Sequence, residues 1–265
     1  MTRPAGRPGG RPPSPSRHET RGREPQRGEP QRGEPRRLRD AVRVAAAWAD
    51  DYRYILGVQL RARLAPEPPR ELLEGDRVPI LLLPGIYESW YYLEPLARLL
   101  NGRGHPVVAV PELGRNVSGL AESGRVVAAR LRAAGTRDLV VLGHSKGGLV
   151  GKELMLGRLG DRVRGMVTIN TPFAGSTRAR WFPGGPVRAL SDRDLAIRDL
   201  SRRRDADHRI VSIYAAFDPH VPGGSFLAGA RNVRVDAVGH FRIVGHPDVR
   251  RAVLDAVARF DTAGT

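Results

Sequence analysis

A glycine lies two positions before Ser145 and another lies two positions after it, and an apolar run precedes the first of them. A serine in this pattern, at a tight turn from a buried strand into a helix, is typical of a nucleophile elbow. Side chains at Gly143 and Gly147 would collide across such a turn. Because the helix starts just after the serine, its free N–H groups point to where negative charge develops during acyl transfer. The pattern therefore predicts a nucleophilic serine at position 145.

Two other side chains could activate this serine. A serine hydroxyl is a weak nucleophile near neutral pH and needs a base, and an imidazole base needs a carboxylate that fixes its tautomer. Asp218 follows the predicted strand 210–215 by three residues, and His240 follows the predicted strand 233–238 by two. Because functional groups collect beyond the carboxyl ends of parallel strands, we expect Ser145, His240 and Asp218 to meet there. Their roles would be nucleophile, base and the carboxylate that orients the base.

Each assignment has an alternative. Ser145 could be an ordinary helix N-cap. His246 competes with His240 for the role of base, although its position just before a predicted helix favours a capping role. Two carboxylates could replace Asp218, but their Arg-rich surroundings predict that both are solvated: Asp205 and Asp207.

The elements that must position these residues alternate between strand and helix. The strands are near-continuous apolar runs, which is typical of a parallel sheet covered on both faces. The predicted fold class is therefore α/β, a mostly parallel sheet with helices on both faces, and a small lid is a candidate role for residues 177–207. The predicted strands are 78–83, 106–110, 138–142, 163–169, 210–215 and 233–238, and the predicted helices are 90–101, 120–134, 146–156, 192–203 and 247–260.

The N-terminal part of the chain has a different composition. Residues 1–37 are rich in Arg, Pro and Gly, and we expect a disordered tail because they have almost nothing to bury. The domain predicted for residues 38–265 begins with an amphipathic helix over about 38–64. Acidic residues at positions 50 and 51 share its polar face, which favours packing across the domain over a membrane surface.

The formal net charge of +16 raises the question of a polyanionic partner. Of the 44 basic residues only Lys146 and Lys152 are lysines, and this Arg excess with abundant Ala, Gly and Pro is typical of a GC-rich genome. We therefore expect no nucleic acid as the main partner, and the basic tail leaves open a weak contact with a membrane surface. Cysteine is absent, which excludes disulfides and thiol chemistry. No signal peptide or membrane-spanning run is evident, so a cytoplasmic location is the expectation.

The motifs resemble those of the α/β-hydrolase superfamily, in particular its lipase and esterase branch. The chain order serine, aspartate, histidine matches that superfamily, and Gly-His-Ser-Lys-Gly-Gly resembles a lipase elbow. Leu-Pro-Gly-Ile resembles the oxyanion loop, with Pro84 where histidine is frequent. The resemblance implies that the backbone N–H groups of Ile86 and Lys146 form the oxyanion hole. Residues 170–176 are similar to a bacterial lipase segment in which histidine replaces Phe173.

This resemblance implies a serine hydrolase that cleaves carboxylic esters through an acyl-enzyme, with a small-molecule or lipid ester as substrate. No cofactor is expected, and no metal site is expected because the chain has no His-Glu-x-x-His motif. The same three side chains would also support an acyltransferase, a thioesterase or an amidase. A non-catalytic scaffold with this fold is a further alternative, and the sequence leaves the oligomeric state open.

Overall fold

The structure is a computed structural model that describes residues 34–62 and 67–262. The chain divides into two units, residues 1–39 and residues 40–265. In the first unit only the start of helix α1, which spans Glu34–Ala62, is described. The disordered tail predicted for residues 1–37 therefore lies outside the described residues, except for its last four, which belong to this helix.

The described part of the second unit contains a six-stranded sheet whose strand pairs are all parallel. This sheet confirms the predicted fold class. The strands follow the order β2-β1-β3-β4-β5-β6, so the chain reverses its direction of travel after β2. Their bounds are β1 Ile80–Leu83, β2 Val107–Val108, β3 Leu139–His144, β4 Val163–Ile169, β5 Ile210–Phe217 and β6 Arg231–Val238.

Helices cover both faces of the sheet, because successive strand residues point to opposite faces. In β1, Ile80 and Leu82 pack in one apolar cluster with residues of α1, α2 and α7, whereas Leu81 and Leu83 pack in a second cluster with residues of α3, α4 and α6. The remaining helices of the described residues are α2 Glu94–Asn101, α3 Leu120–Ala134, α4 Lys146–Leu156, α5 Gly185–Arg188, α6 Leu195–Arg202 and α7 Pro247–Asp261.

Helix α2 begins later than predicted. The segment Trp90–Leu93 forms a separate 3₁₀ turn, and the α-helix starts only at Glu94. Pro95 explains the difference because a proline has no N–H and is tolerated in the first turn of a helix but not in its interior. An α-helix that started at Trp90 would have placed this proline inside.

The part of helix α1 that belongs to the second unit packs against the sheet of that unit. Ile55 and Val58 belong to the core cluster under α2 and α7, whereas Leu56 and Leu60 are exposed. Asp51 is fully buried, which corrects the prediction that it lies on the polar face of this helix. Within the described ranges, we find no helix with the length and apolar character needed to cross a membrane.

Candidate active site

Ser145 occupies a strained turn between β3 and α4. Its backbone has φ 50° and ψ −121°, a conformation that side-chain-bearing residues rarely adopt and that is often found at functional sites. The turn is possible because Gly143 and Gly147 carry no side chains: a Cβ at Gly143 would contact the backbone of Gly148, and a Cβ at Gly147 would collide with the carbonyl of Leu83. These contacts agree with the predicted elbow.

The three predicted side chains meet at the carboxyl ends of their strands. Ser145 follows β3, Asp218 follows β5 and His240 follows β6. The Nε2 of His240 lies 3.0 Å from the Oγ of Ser145, and its Nδ1 lies 2.6 Å from the Oδ2 of Asp218. If Nδ1–H donates to the carboxylate, Nε2 is left as the acceptor for the serine proton. The arrangement can therefore generate a nucleophilic alkoxide.

The electrostatic environment favours an ionised Asp218 beside a His240 imidazole that can accept a proton. Burial lowers the pKa of His240, but the charge and hydrogen bond of Asp218, together with the charges of Glu88 and Asp51, outweigh it, so this pKa lies above its ordinary value. Burial raises the pKa of Asp218, and the opposing effects of His240 and the backbone N–H of His220 leave it below its ordinary value. The carboxylate is therefore ionised wherever His240 titrates.

The predicted oxyanion donors lie on two elements beside the serine, the loop after β1 and the start of α4. Ile86 lines the same cavity as Ser145, and within the described residues its N–H has no hydrogen-bond partner. Lys146 is the first residue of α4, so its N–H has no acceptor within the helix. The N–H of Gly85, in contrast, donates to the Oε2 of Glu88 at 2.6 Å. Two free N–H groups at these positions can stabilise a developing oxyanion.

The side chain of Lys146 is buried and does not extend toward solvent. Its Nζ donates to the carbonyls of Asn116, at 2.6 Å, and of Ser118. Burial lowers the pKa of this ammonium to about 8. Asn116 in turn donates through Nδ2 to the carbonyl of Pro84 at 2.8 Å. The lysine therefore fixes a loop that supports the oxyanion loop after β1.

The buried pair of Glu88 and His144 links the oxyanion loop to the loop of residues 239–242 after β6, which we call the histidine loop. The Nδ1 of His144 lies 2.9 Å from the Oε2 of Glu88, the same oxygen that accepts the N–H of Gly85. The Nε2 of His144 lies 3.0 Å from the carbonyl oxygen of His240. Neither Glu88 nor a bonding role for His144 was predicted, because the sequence shows only an acidic residue after a turn and the variable residue of the elbow.

An apolar cavity of about 540 Å³ opens beside Ser145 and His240. Helix α1 forms one wall, and the segment after β4 that includes Ala179 forms another. The segment belongs to the predicted lid at 177–207, whose movement stays a prediction. Among the aromatic residues that follow β1, Tyr87 lines this cavity, whereas Trp90 and Tyr92 pack in the core. The apolar side chains of the two walls are Trp48, Tyr52, Ile55, Ala179, Trp181, Phe182, Val187 and Leu190.

One cluster in the site has the donor types of a metal centre. Ligand atoms of Asp218, His220 and His240 lie within 4.8 Å of one another. The two ring nitrogens of His240 already face Ser145 and Asp218, and the Nε2 of His220 lies 3.1 Å from the hydroxyl of Tyr52. A metal ion here would compete with the hydrogen bond between His240 and Asp218. The imidazole of His240 thus already links the hydroxyl of Ser145 to the carboxylate of Asp218.

The alternatives to the predicted residues lie elsewhere. His246 is the N-cap of α7 and accepts the N–H of Asp248 through Nδ1, in agreement with the capping role. Asp205 is exposed, as predicted. Asp207 is buried and forms an ion pair of 2.7 Å with Lys152, so the prediction that it is solvated is wrong. Lys152 stabilises this carboxylate inside the domain, and Asp207 is therefore not the acidic partner of His240.

Asn170 is a further polar residue whose role was not predicted. It is fully buried, its Nδ2 donates to the carbonyls of Gly239 at 3.0 Å and of His240 at 3.3 Å, and its Oδ1 accepts the N–H of Ala215. The residue thus connects the ends of β4, β5 and β6. The one sequence feature that could have pointed to it is the similarity of residues 170–176 to a bacterial lipase segment.

No family model and no curated protein sequence matches this chain. Similar solved structures include the mature form of lipase BlEst2 from Bacillus licheniformis, with a TM-score of 0.54, 16% identity and coverage of 73% of this chain and 95% of that one. A monoacylglycerol lipase from Paleococcus ferrophilus has a TM-score of 0.51 and 17% identity, with coverage of 69% and 96%. An extracellular α/β-hydrolase from a Paenibacillus species has a TM-score of 0.50 and 15% identity, with coverage of 68% and 98%. At these identities the likeness shows a shared fold.

Proposed function

We propose that this chain, which has the α/β-hydrolase fold, is a serine hydrolase that cleaves carboxylic esters. The observation that carries the proposal is the continuous path from the Oγ of Ser145 through the imidazole of His240 to the carboxylate of Asp218, with separations of 3.0 and 2.6 Å. The side chains of the three residues are almost completely buried, which strengthens the electrostatic interactions between them. Activation of a serine is the chemistry that such a path performs.

In the proposed first half-reaction the Oγ of Ser145 forms a bond to the ester carbonyl carbon while its proton moves to the Nε2 of His240. The carbonyl oxygen becomes an oxyanion, which the N–H groups of Ile86 and Lys146 stabilise. The tetrahedral intermediate then collapses, the bond to the alcohol oxygen breaks, and Nε2–H donates its proton to that oxygen. The alcohol leaves, and the acyl group remains on the serine.

In the second half-reaction water replaces the alcohol. The Nε2 of His240 removes a proton from the water as the water oxygen forms a bond to the acyl carbon. The bond between this carbon and the Oγ of Ser145 then breaks, and Nε2–H donates its proton to Oγ. The carboxylic acid leaves, and the free enzyme is restored. An acyltransferase would use another alcohol in place of this water, and a thioesterase or amidase would differ only in the leaving atom.

The lining of the cavity favours a substrate whose acyl group is apolar and binds there. Its walls are mostly aromatic and aliphatic side chains, and its volume of about 540 Å³ lies in the range of small-molecule sites. Trp48 and Ile55 from α1 face this space together with Leu190 from the segment after β4. We therefore propose a small-molecule or lipid ester with an uncharged acyl chain.

A fluorophosphonate probe tests the proposal, because it reacts covalently with an activated serine. We expect the wild-type chain to be labelled and to hydrolyse nitrophenyl esters, and we expect Ser145→Ala to lose both properties while it keeps its circular dichroism spectrum. Ser201→Ala is the matched control, since this serine donates to the carbonyl of Arg198 on α6 and not to the site. A folded wild-type protein that is neither labelled nor active would support a non-catalytic scaffold and refute the proposal.

A further inference from the structure

We propose that Asp51 of helix α1 is a positioning residue of the active site, because it holds the backbone of the loop that carries His240. The catalytic consequence of this inference rests on the proposed function, whereas the structural consequence does not. Helix α1 would then be part of the active site as well as a wall of the cavity.

The contacts of Asp51 are directed at one loop. Its Oδ2 accepts the backbone N–H of His240 at 2.7 Å, and its Oδ1 accepts those of Phe241 at 2.8 Å and Arg242 at 2.9 Å. The residue is fully buried. A carboxylate that accepts three N–H groups at these distances makes strong, charge-assisted hydrogen bonds. It satisfies three consecutive amides of one loop, of which the N–H of His240 is buried and the next two are partly buried.

These amides are the main compensation for burying the charge. Transfer of an unpaired carboxylate into a protein interior is strongly unfavourable. Among the described residues the one side chain that pairs with Asp51 is His220, whose Nδ1 lies 3.9 Å away. Burial and the nearby charge of His240 lower the pKa of His220 to about 4, so this imidazole is neutral near pH 7. The three N–H groups of the loop therefore stabilise the buried carboxylate, and the carboxylate in turn holds the loop in place.

The histidine loop is held from two sides. Its carbonyl groups at Gly239 and His240 accept hydrogen bonds from Asn170, which belongs to the sheet. Its N–H groups from His240 to Arg242 are held by Asp51, which belongs to α1. Because a peptide plane is rigid, fixing both of its sides sets the direction in which the His240 side chain leaves the backbone. Loss of one side would allow the imidazole to tilt away from Ser145.

The charge of Asp51 has a second effect on the same imidazole. The groups that face His240 are Ser145 and His144 from the elbow, Asp218 and His220 from the loop after β5, Glu88 from the loop after β1, and Asp51 from α1. Asp51 is one of three carboxylates that raise the pKa of His240. Removal of its charge should therefore lower that pKa.

Asp51→Asn is the decisive variant because it preserves the size of the side chain. The asparagine amide replaces one acceptor oxygen by an NH₂ donor. This donor must then face another donor, either the N–H of His240 or the N–H groups of Phe241 and Arg242. Asp51→Ser is a second variant that keeps one acceptor oxygen and serves if the first does not fold. Asp50→Asn is the matched control, since Asp50 is the neighbour on the same helix and is half-exposed, with Arg53 and Arg242 as ion-pair partners.

With nitrophenyl esters we expect Asp51→Asn to lower kcat by about 10- to 100-fold with little change in KM, because a misplaced base slows chemistry more than binding. We also expect the acid limb of the pH profile of kcat/KM to move to lower pH. Asp50→Asn should change neither quantity. A variant that merely lost stability would lower the amount of active protein but would not move the pH profile.

Proton NMR of the folded protein gives a readout that does not depend on activity. The Nδ1 proton of His240, in its hydrogen bond to Asp218, should give a downfield resonance that Asp51→Asn weakens or shifts and Asp50→Asn preserves. If the wild type hydrolyses esters and both Asp51 variants retain the wild-type resonance, kcat and pH profile, the inference is wrong and the proposed function stands. If the wild type is inactive but the resonance depends on Asp51, the proposed function fails and the positioning role stands.

Discussion

The Oγ of Ser145 and the Nε2 of His240 lie 3.0 Å apart although 95 positions separate the two residues in the chain. They follow strands β3 and β6, which are not neighbours, since β4 and β5 lie between them. The loop after β6 must therefore reach back across two strand ends to bring the imidazole to the serine. Asn170, at the end of β4, contacts that loop where it crosses.

Asp218→Asn should lower kcat by about a thousand- to ten-thousand-fold, because an asparagine cannot hold His240 in the tautomer that accepts the serine proton. Asp205→Asn is the matched control, since Asp205 is exposed in the stretch before β5. Hydrolysis of a nitrophenyl ester measures both. If kcat fell strongly in Asp205→Asn and stayed unchanged in Asp218→Asn, Asp218 would not be the carboxylate that orients His240.

The pH dependence should report His240. In the proposed mechanism the neutral imidazole is the base, and the pKa of His240 lies above its ordinary value of 6.5 because of the charge and hydrogen bond of Asp218. Activity should therefore be full above that pKa and decline as the pH falls through it, so that the acid limb of kcat/KM has its midpoint above pH 6.5. A midpoint below 6.5 would contradict this environment for the histidine.

Substitution of two glycines should change stability in opposite directions. Gly147→Ala places a Cβ against the carbonyl of Leu83 and should lower the free energy of unfolding by about 1–3 kcal/mol or more. Gly124→Ala lies inside α3, where a Cβ would meet only the Cγ of Glu153 at 3.8 Å, and should raise it by about 0.5–1 kcal/mol. Urea unfolding curves measure both, and equal midpoints for the two variants would be inconsistent with the close approach at the elbow.

The cavity should determine the preferred acyl length. Ala179 is buried and lines the cavity, so Ala179→Trp fills space that a longer acyl chain would occupy. We expect this variant to lose activity on octanoate esters and to retain it on acetate esters. Ala189→Trp is the control, because Ala189 is exposed on the same segment. Parallel losses on both esters in Ala179→Trp would indicate damage to the fold and not a filled pocket.

Chelation should leave the activity unchanged. The cluster of Asp218, His220 and His240 offers ligand atoms within 4.8 Å, but its central imidazole is engaged with Ser145 and Asp218. Dialysis against EDTA should therefore preserve both ester hydrolysis and fluorophosphonate labelling. Loss of activity that zinc restores would instead identify this cluster as a metal site.

The parts of the fold that depend on local pattern were predictable. Strand β4 has the predicted bounds, Val163–Ile169, and helix α3 has the predicted bounds, Leu120–Ala134. The apolar residues of both segments are visible in the sequence, as are the glycines on either side of α3. The meeting of Ser145, His240 and Asp218 was also predictable, because a parallel sheet gathers its strand ends at one edge.

Contacts between distant polar groups were not predictable. Asp50 and Asp51 are adjacent acidic residues, and about 100° of helix rotation separates them, so one is half-exposed and the other fully buried. The sequence cannot distinguish them, because the acceptor role of Asp51 is defined by a loop 189 residues away. Asp207 was misjudged for the same reason, since its buried partner Lys152 lies on a different helix.

The contact between Asp51 and His240 joins segments that the ribosome makes at widely separated times. About 190 residues must be synthesised after the aspartate before its hydrogen-bond donors exist. Contacts of such large sequence separation close slowly and late in folding. A partly synthesised chain therefore carries the serine turn before the His240 loop exists, and Ser145, His240 and Asp218 can meet only after the segment with His240 has left the ribosome.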